Sequence, residues 1–378
     1  MLKIGLITYP IETNPAGIGV AVKHFTKHLL DIDRRNSYYL LHFTPSSDPL
    51  YRNREILYKH YTSLPVMFSD SWYFRNTPHR FDIVHRFSPG GFLFYVKALK
   101  VITVYDLFLY KPYPFNRKFH LSIHLGRIFN RRALIKADAV LAGSHFTKQE
   151  ILKNIPLDAN KVHVVYSAPA IDSPPTDPIQ SRNILLSEYG ISEDYILFVS
   201  TLEPRKNLLR LVKAYEILKA HHHRKEWLVI VGKKGWGYQE AEDYIQKSPF
   251  RHCIKSVGFV PTHHLSHFYS NASLFVYPSL MEGFGIPPLE AMKCGCPTLT
   301  SNTSSLPEVV QHPEMMFNPK DINQITEKII RILCEPALRE DNIRKGMKNA
   351  KRFSWRESAQ QIISIYQTLG ATRSSSSF

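Results

Sequence analysis

Glu282 and Glu290 stand eight positions apart in the stretch SLMEGFGIPPLEAMKCG, residues 279–295, with two glycines and two prolines between them. Paired carboxylates suggest acid–base work on a glycosidic bond, which needs carboxyl groups about 5 to 9.5 Å apart depending on the stereochemical outcome. Eight residues of helix already rise about 12 Å, and an extended connection reaches further. One acid at each end of an elongated ligand fits the interval better. Pro287 and Pro288 suit the first turn of a helix, where a missing amide proton costs nothing. That leaves Gly283, Phe284 and Gly285 as a loop whose N–H groups can face an anion or sugar hydroxyls. Glu290 then falls in the first helical turn, where plain complementation of the helix dipole is the alternative reading.

Three other stretches carry chemistry. In STLEPRKNLLRLVKAY, residues 200–215, Arg205 and Lys206 follow Pro204 at the mouth of a helix, where two cations oppose the positive end of the dipole. The placement makes sense around a diphosphate, with Arg205 offering a forked contact and Lys206 a mobile point charge. In TNPAGIGVAVKHF, residues 13–25, Gly17 and Gly19 allow backbone amides to approach an oxyanion at a helix start. The third glycine of the dinucleotide fingerprint is missing, and His42 and Phe43 rather than an acid end the second strand, which disfavours a nicotinamide or flavin domain. In VITVYDLFLYKPYP, residues 101–114, Tyr105 and Asp106 close a buried strand and face the ligand end of a sheet, although Asp106 also reads as a turn cap.

Elements able to position these groups recur along the chain. Short apolar runs alternate with amphipathic stretches, the pattern of parallel sheets wrapped by helices. Strands are expected at 3–9, 38–43, 82–87, 100–106, 139–144 and 161–167, and again at 195–201, 226–232, 254–260, 272–279 and 297–302. Ile18, Val22, Phe25 and Leu29 form one helical stripe after the first strand. Four prolines in residues 169–180 read as a linker between two doubly wound α/β domains. The expected division is a first domain at 1–168, a linker at 169–185 and a second domain at 186–352. A helix at 353–370, opened by the capping box SWRE, and a disordered tail at 371–378 follow.

The 378 residues exceed what one core usually supports, and the 44% hydrophobic content is that of a globular protein. Residues 1–170 hold 23 Lys and Arg against 11 Asp and Glu, so the first half carries 12 of the 16 net positive charges. Such a bias favours anionic partners: phospholipid headgroups or pyrophosphate-bearing acceptors. No nucleic-acid-binding signature accompanies it. The four cysteines form no C-x-x-C pair, so neither a zinc ribbon nor a disulfide framework is expected. The opening MLKIGLITYP reads as a buried strand rather than a signal peptide, and no apolar run reaches membrane-spanning length, which points to the cytoplasm.

Assembled, the first glycine loop, EPRKN, VGKKGWGY, VGFV, EGFGIPPLE, TSNTSSLPEV and the terminal FSW helix resemble the retaining GT-B glycosyltransferases of the glycogen-synthase-like group, family 4, and bacterial mannosyltransferases in particular. The resemblance covers nearly the whole chain. It implies two Rossmann-like domains facing across a cleft, the first for the acceptor and the second for the nucleotide sugar, with the C-terminal helix returning to the first domain. By position, Arg205 and Lys206 would bind the donor diphosphate, Glu290 the ribose, and Glu282 the transferred sugar. Backbone groups of Gly283, Phe284 and Gly285 would hold sugar hydroxyls, Gly258 and Val260 would border the base, and Gly17 and Gly19 would approach the phosphates. The implied activity is hexosyl transfer, with GDP-mannose as donor and a glycan or polyprenyl-pyrophosphate-linked acceptor, in surface polysaccharide synthesis. Neither a cofactor nor a metal is implied, and attachment would be peripheral, at the inner face of the membrane. A UDP-hexose donor and a non-catalytic binding relative are the alternatives. Tyr105 departs from the family's His-Asp pair: a phenol can hydrogen-bond a sugar but lacks an imidazole's protonation near neutral pH.

Overall fold

The computed structural model describes residues 1–13, 17–46, 48–58, 66–88, 95–110, 120–171, 173–175 and 177–375. Two compact units emerge: Met1–Ser167 with Ser354–Phe378, and Ala168–Phe353.

The first unit is built on seven parallel strands, β1 (Lys3–Ile7), β2 (Ser37–His42), β3 (Glu55–Leu57), β4 (Ile83–Arg86), β5 (Leu99–Val104), β6 (Ala139–Ala142) and β7 (Val162–Val164), in the order β3-β2-β1-β4-β5-β6-β7. Helices cover a parallel sheet on both faces, which is why its strands are continuous apolar runs rather than alternating ones. Ile4 pairs with Tyr38 on one side and Ile83 on the other, and the sheet reverses direction of growth between β1 and β4. The helix Ile18–Ile32 buries Val22, Phe25 and Leu29, the expected stripe. Against it packs the C-terminal helix Trp355–Ser375, with the Trp355 ring edge-on to Phe25 at 4.8 Å. Deeper in, His85 on β4 bonds the Tyr366 hydroxyl at 2.5 Å and the Thr103 hydroxyl at 2.8 Å. Burial pushes this imidazole down to about 3, so it is a neutral tie between sheet and terminal helix.

The second unit has six parallel strands, β8 (Tyr195–Val199), β9 (Trp227–Val231), β10 (Ile254–Gly258), β11 (Leu274–Tyr277), β12 (Thr298–Ser301) and β13 (Met316–Phe317), ordered β10-β9-β8-β11-β12-β13. Its switch point lies between β8 and β11. Phe198, Ile230, Leu211 and Val276 join the core on one face, and Leu197, Tyr195, Phe275 and Phe268 on the other.

Two expectations need correction. The linker is shorter than residues 169–185, because Asp177 caps a helix Pro178–Tyr189 and Pro178 sits at its first position, where proline is compatible with helix. The last helix continues through residues 371–375 of the expected disordered tail, and residues 376–378 lie outside the described residues. β3 and β13, at three and two residues, are too short to leave a periodic signal in the sequence.

Candidate active site

In α/β sheets, ligands gather beyond the carboxyl ends of strands at a switch point. In the second unit the segments leaving β8 and β11 meet there. The chain leaving β8 forms a short 3₁₀ turn, Pro204–Lys206, and Asn207 in the left-handed region (φ 62°) then starts the helix Leu208–His222. Asn207 Nδ2 donates to the carbonyls of Pro278 (3.0 Å) and Pro319 (2.7 Å), and the Leu280 amide donates to the Arg205 carbonyl at 2.8 Å. The two connections are therefore stitched backbone to backbone.

The side chains converge as well. Lys206 Nζ lies 2.6 Å from Glu282 Oε1 and 2.9 Å from the Tyr277 hydroxyl, which donates to the same Oε1 at 2.8 Å. Arg205 reaches Glu282 Oε2 at 3.4 Å, and its Nε donates to Glu203 at 2.7 Å. Lys206 and Glu282 are each 7% exposed. Burial alone would raise the Glu282 carboxyl, but the Lys206 ammonium and the Arg205 guanidinium outweigh it and hold the group at about 2. Burial, with the nearby Arg205 charge, draws the Lys206 ammonium below its ordinary range against the pull of Glu282. Arg205 and Lys206, expected around a diphosphate, converge here on one acidic side chain. The cations meet the carboxylate of Glu282, and the Glu282 amide donates to Ser304 Oγ at 2.9 Å.

A third segment, following β12, completes the floor. Ser305 Oγ donates to the carbonyls of Glu282 (3.1 Å) and Phe284 (2.7 Å). Phe284 is buried edge-on to Phe353 at 5.4 Å. Gly283 precedes it, and Gly285 takes φ 117° where a Cβ would stand 2.8 Å from Leu306 Cδ2, so only glycine fits. Pro287 and Pro288 lie in the first turn of the helix Ile286–Lys293, as expected. Glu290, expected in the first turn of that helix, is its fifth residue and sits apart from the charged cluster. Its Oε2 accepts from the Tyr269 hydroxyl at 3.1 Å and its Oε1 from the Ala170 amide at 3.3 Å. Burial dominates there and pushes its carboxyl up to about 7.

Gly258 ends β10 with φ 85° and open space where a Cβ would be, and Val260 is buried two residues on. β9 separates this strand end from β8, so the structure does not join it to the Lys206 cluster. In the first unit, Gly17 (φ 56°) precedes the helix Ile18–Ile32 and Gly19 is buried in its first turn, while residues 14–16 of that loop lie outside the described residues. Asp106 caps a turn, accepting from the Phe108 amide at 3.1 Å. Beside it, the Tyr105 hydroxyl is buried without a hydrogen-bond partner among the described residues, and burial raises it well above the ordinary phenol range.

Sequence reading missed Tyr277, Glu203, Asn207, Ser304 and Ser305. It also missed a closed cluster at the ends of β1 and β4: the fully buried Arg86 guanidinium pairs with Asp70 and donates to Tyr9 Oη at 2.6 Å, while Tyr58 donates to Asp70 at 2.7 Å. Among the described residues no group of His, Cys, Asp and Glu is arranged to hold a metal ion, and no helix is long and apolar enough to cross a membrane.

Comparison with known proteins gives this site its class. Residues 15–168 match the Glycosyltransferase Family 4 model and residues 187–349 the Glycosyl transferases group 1 model. O-antigen chain mannosyltransferase B of Escherichia coli is 31% identical over 268 residues, 71% of this chain and 68% of that protein. The serotype-specific mannosyltransferase WbdA of the same species is 33% identical over 240 residues, which is 62% of this chain but 29% of that longer protein. Anabaena HepE, solved in complex with UDP and glucose, superimposes with a TM-score of 0.78 at 16% identity, covering 97% of this chain and 100% of that one. The fold is GT-B, two parallel-sheet Rossmann-like domains. The chain belongs to the family 4 glycosyltransferases and is a sugar-transferring enzyme.

Proposed function

We propose that the enzyme moves a hexose, mannose from GDP-mannose, with retention of anomeric configuration onto a glycan or polyprenyl-pyrophosphate-linked acceptor in surface polysaccharide synthesis. The observation that carries the reading is the convergence of Lys206, Arg205 and Glu282 at the switch point of the second sheet. A nucleotide diphosphate brings negative charge to the two cations and a sugar brings hydroxyl donors to a carboxylate held ionised. In this reading Lys206 and Arg205 stabilise the departing diphosphate, and Glu282 takes a hydroxyl of the transferred sugar. Backbone groups of Gly283, Phe284 and Gly285 hold further hydroxyls, Glu290 takes the ribose, and Gly258 and Val260 border the base. Gly17 and Gly19 approach the phosphates, and Tyr105 with Asp106 serves the reacting sugar or acceptor. No metal takes part. The names of the O-antigen relatives favour mannose, and the excess of Lys and Arg in residues 1–170 suits an acceptor anchored at the anionic inner face of the cytoplasmic membrane.

A thermal-shift series with GDP-mannose, UDP-glucose and the free nucleotides tests the donor. Ligand at one hundred times its dissociation constant adds about 2.7 kcal/mol of stability. Stabilisation by GDP-mannose and GDP but not by UDP compounds is expected, with GDP released when acceptor is supplied. Stabilisation by UDP-glucose alone would overturn the donor, and stabilisation by no nucleotide sugar would overturn the site.

A further inference from the structure

We infer that Tyr277 is a positioning residue of the transferase site, holding the Lys206 ammonium aimed at the donor diphosphate; the inference rests on the reading of that site given above. Tyr277 closes β11, is 1% exposed and stacks on Phe275 at 5.8 Å. Core packing explains the ring but not the hydroxyl. A buried phenol needs a partner, and this one has two charged ones: it donates to Glu282 Oε1 and accepts from Lys206 Nζ.

The geometry gives the hydroxyl a directional task. Nζ, Oη and Oε1 form a nearly equilateral triangle with sides of 2.6, 2.8 and 2.9 Å. Seen from Nζ, the two acceptors are therefore separated by about 60°, much less than the roughly 109° between N–H bonds of an ammonium with three donors. Two N–H groups cannot both point straight at them, and at least one of the three is directed away from the triangle. Without the phenol oxygen the ammonium has one strong partner, Glu282, and is free to rotate and shift about it. With the oxygen in place the nitrogen is held between two fixed points, with the Tyr277 ring also 5.4 Å from it. Fixed donors are worth most where charge develops during reaction, because no reorganisation is then needed.

Tyr277→Phe keeps the ring, its stack on Phe275 and the cation over its face, and removes only the hydroxyl. With GDP-mannose as donor and a mannose-terminated polyprenyl-pyrophosphate oligosaccharide as acceptor, kcat should fall about ten-fold or more while KM for GDP-mannose stays within about three-fold, the signature of an interaction felt mainly in the transition state. The thermal midpoint of the variant reports any loss of folded protein separately. In a double-mutant cycle with Lys206→Met, the Tyr277→Phe effect should largely vanish, since the residue acts through the ammonium. Wild-type kcat in Tyr277→Phe overturns the inference, as does an undiminished effect in the Lys206→Met background or a loss matching only the loss of folded protein. Absence of both turnover and nucleotide-dependent stabilisation in the unaltered enzyme would instead overturn the site assignment itself.

Discussion

Glu282 and Glu290 are both nearly inaccessible and belong to one loop-and-helix segment, yet their surroundings drive them in opposite directions. Around Glu282 stand an ammonium, a guanidinium and a phenol, and the carboxyl is held at about 2. Around Glu290 stand a phenol and one backbone amide, and the carboxyl is pushed to about 7. Lys293, one turn along from Glu290, spends its ammonium on the Ile171 carbonyl at 2.6 Å and only partly offsets the burial. Burial acts the same way on both acids, so the cations make the difference. An acid fixed as an anion can receive a hydroxyl proton donor at any physiological pH. One that titrates near neutrality binds such a donor best once it has lost its own proton, so ligand binding and proton release are linked.

The sharpest way to break this contrast is to remove the charges around Glu282. Glu282→Gln or Lys206→Met should each lower kcat by about 10²-fold or more, the scale seen when a preorganised electrostatic group is lost. Both residues lie on connections, which by itself suggests harmless truncation, but both are buried. Glu282→Gln strands the Lys206 ammonium at a cost of about 3 to 5 kcal/mol, whereas Lys206→Met leaves Glu282 paired with Arg205 and should cost less. The double variant Glu282→Gln/Lys206→Met deletes both charges. It should recover much of the stability lost in Glu282→Gln and none of the activity, measured by urea unfolding beside GDP release. Recovery of turnover in the double variant would mean that the pair serves the fold and not the reaction.

Most of the scaffold behind this contrast is legible in the residues. Continuous apolar runs such as YILFV and LFVY announce buried parallel strands, and charged or glycine-rich residues directly after them announce a site, because nothing in the core needs Arg205, Lys206 or Glu282. Partner choice is not legible. That Lys206 turns to the carboxylate of Glu282, 76 residues away, depends on strands β8 and β11 being neighbours, which no local pattern states. Tyr277 reads as one more core aromatic because periodicity reports burial and is blind to where a hydroxyl points. Likewise Arg86 and Asp70, each unremarked in its own stretch, become a buried pair only when the helix Val66–Asn76 lies against the end of β4. Proline density misled at residues 178–185, where the same residue type that breaks a helix interior opens one.

A smaller effect isolates Glu290. Its folded-state carboxyl lies near 7 against an ordinary 4.5, so the folded protein binds the extra proton between those values. Stability from this group is present in full below about 4.5 and is lost as pH rises through about 7, an amount of ~3 kcal/mol. Glu290→Gln removes the titration. Its stability relative to the unaltered enzyme should be nearly unchanged at pH 5 and higher by up to that amount at pH 8, read from urea midpoints at the two pH values. An equal difference at both would show that Glu290 does not titrate there.

The smallest effect separates the phenol from the burial. The Tyr269 hydroxyl donates to Glu290 Oε2 and favours the ionised carboxylate, so Tyr269→Phe should leave Glu290 still harder to ionise. The ring remains packed edge-on to Phe275 at 5.5 Å, and only the hydrogen bond is lost. A bond to a neutral acid contributes about 1 kcal/mol and one to an anion about 1.5 to 3 kcal/mol. The variant should therefore be destabilised slightly at pH 5, where Glu290 is protonated, and by roughly 1 kcal/mol more at pH 8, where it is ionised. The sign is opposite to that of Glu290→Gln across the same interval, although both changes touch one contact. A loss equal at the two pH values would mean that the phenol does not sense the charge on Glu290, and the tuning of that carboxyl would then belong to burial alone.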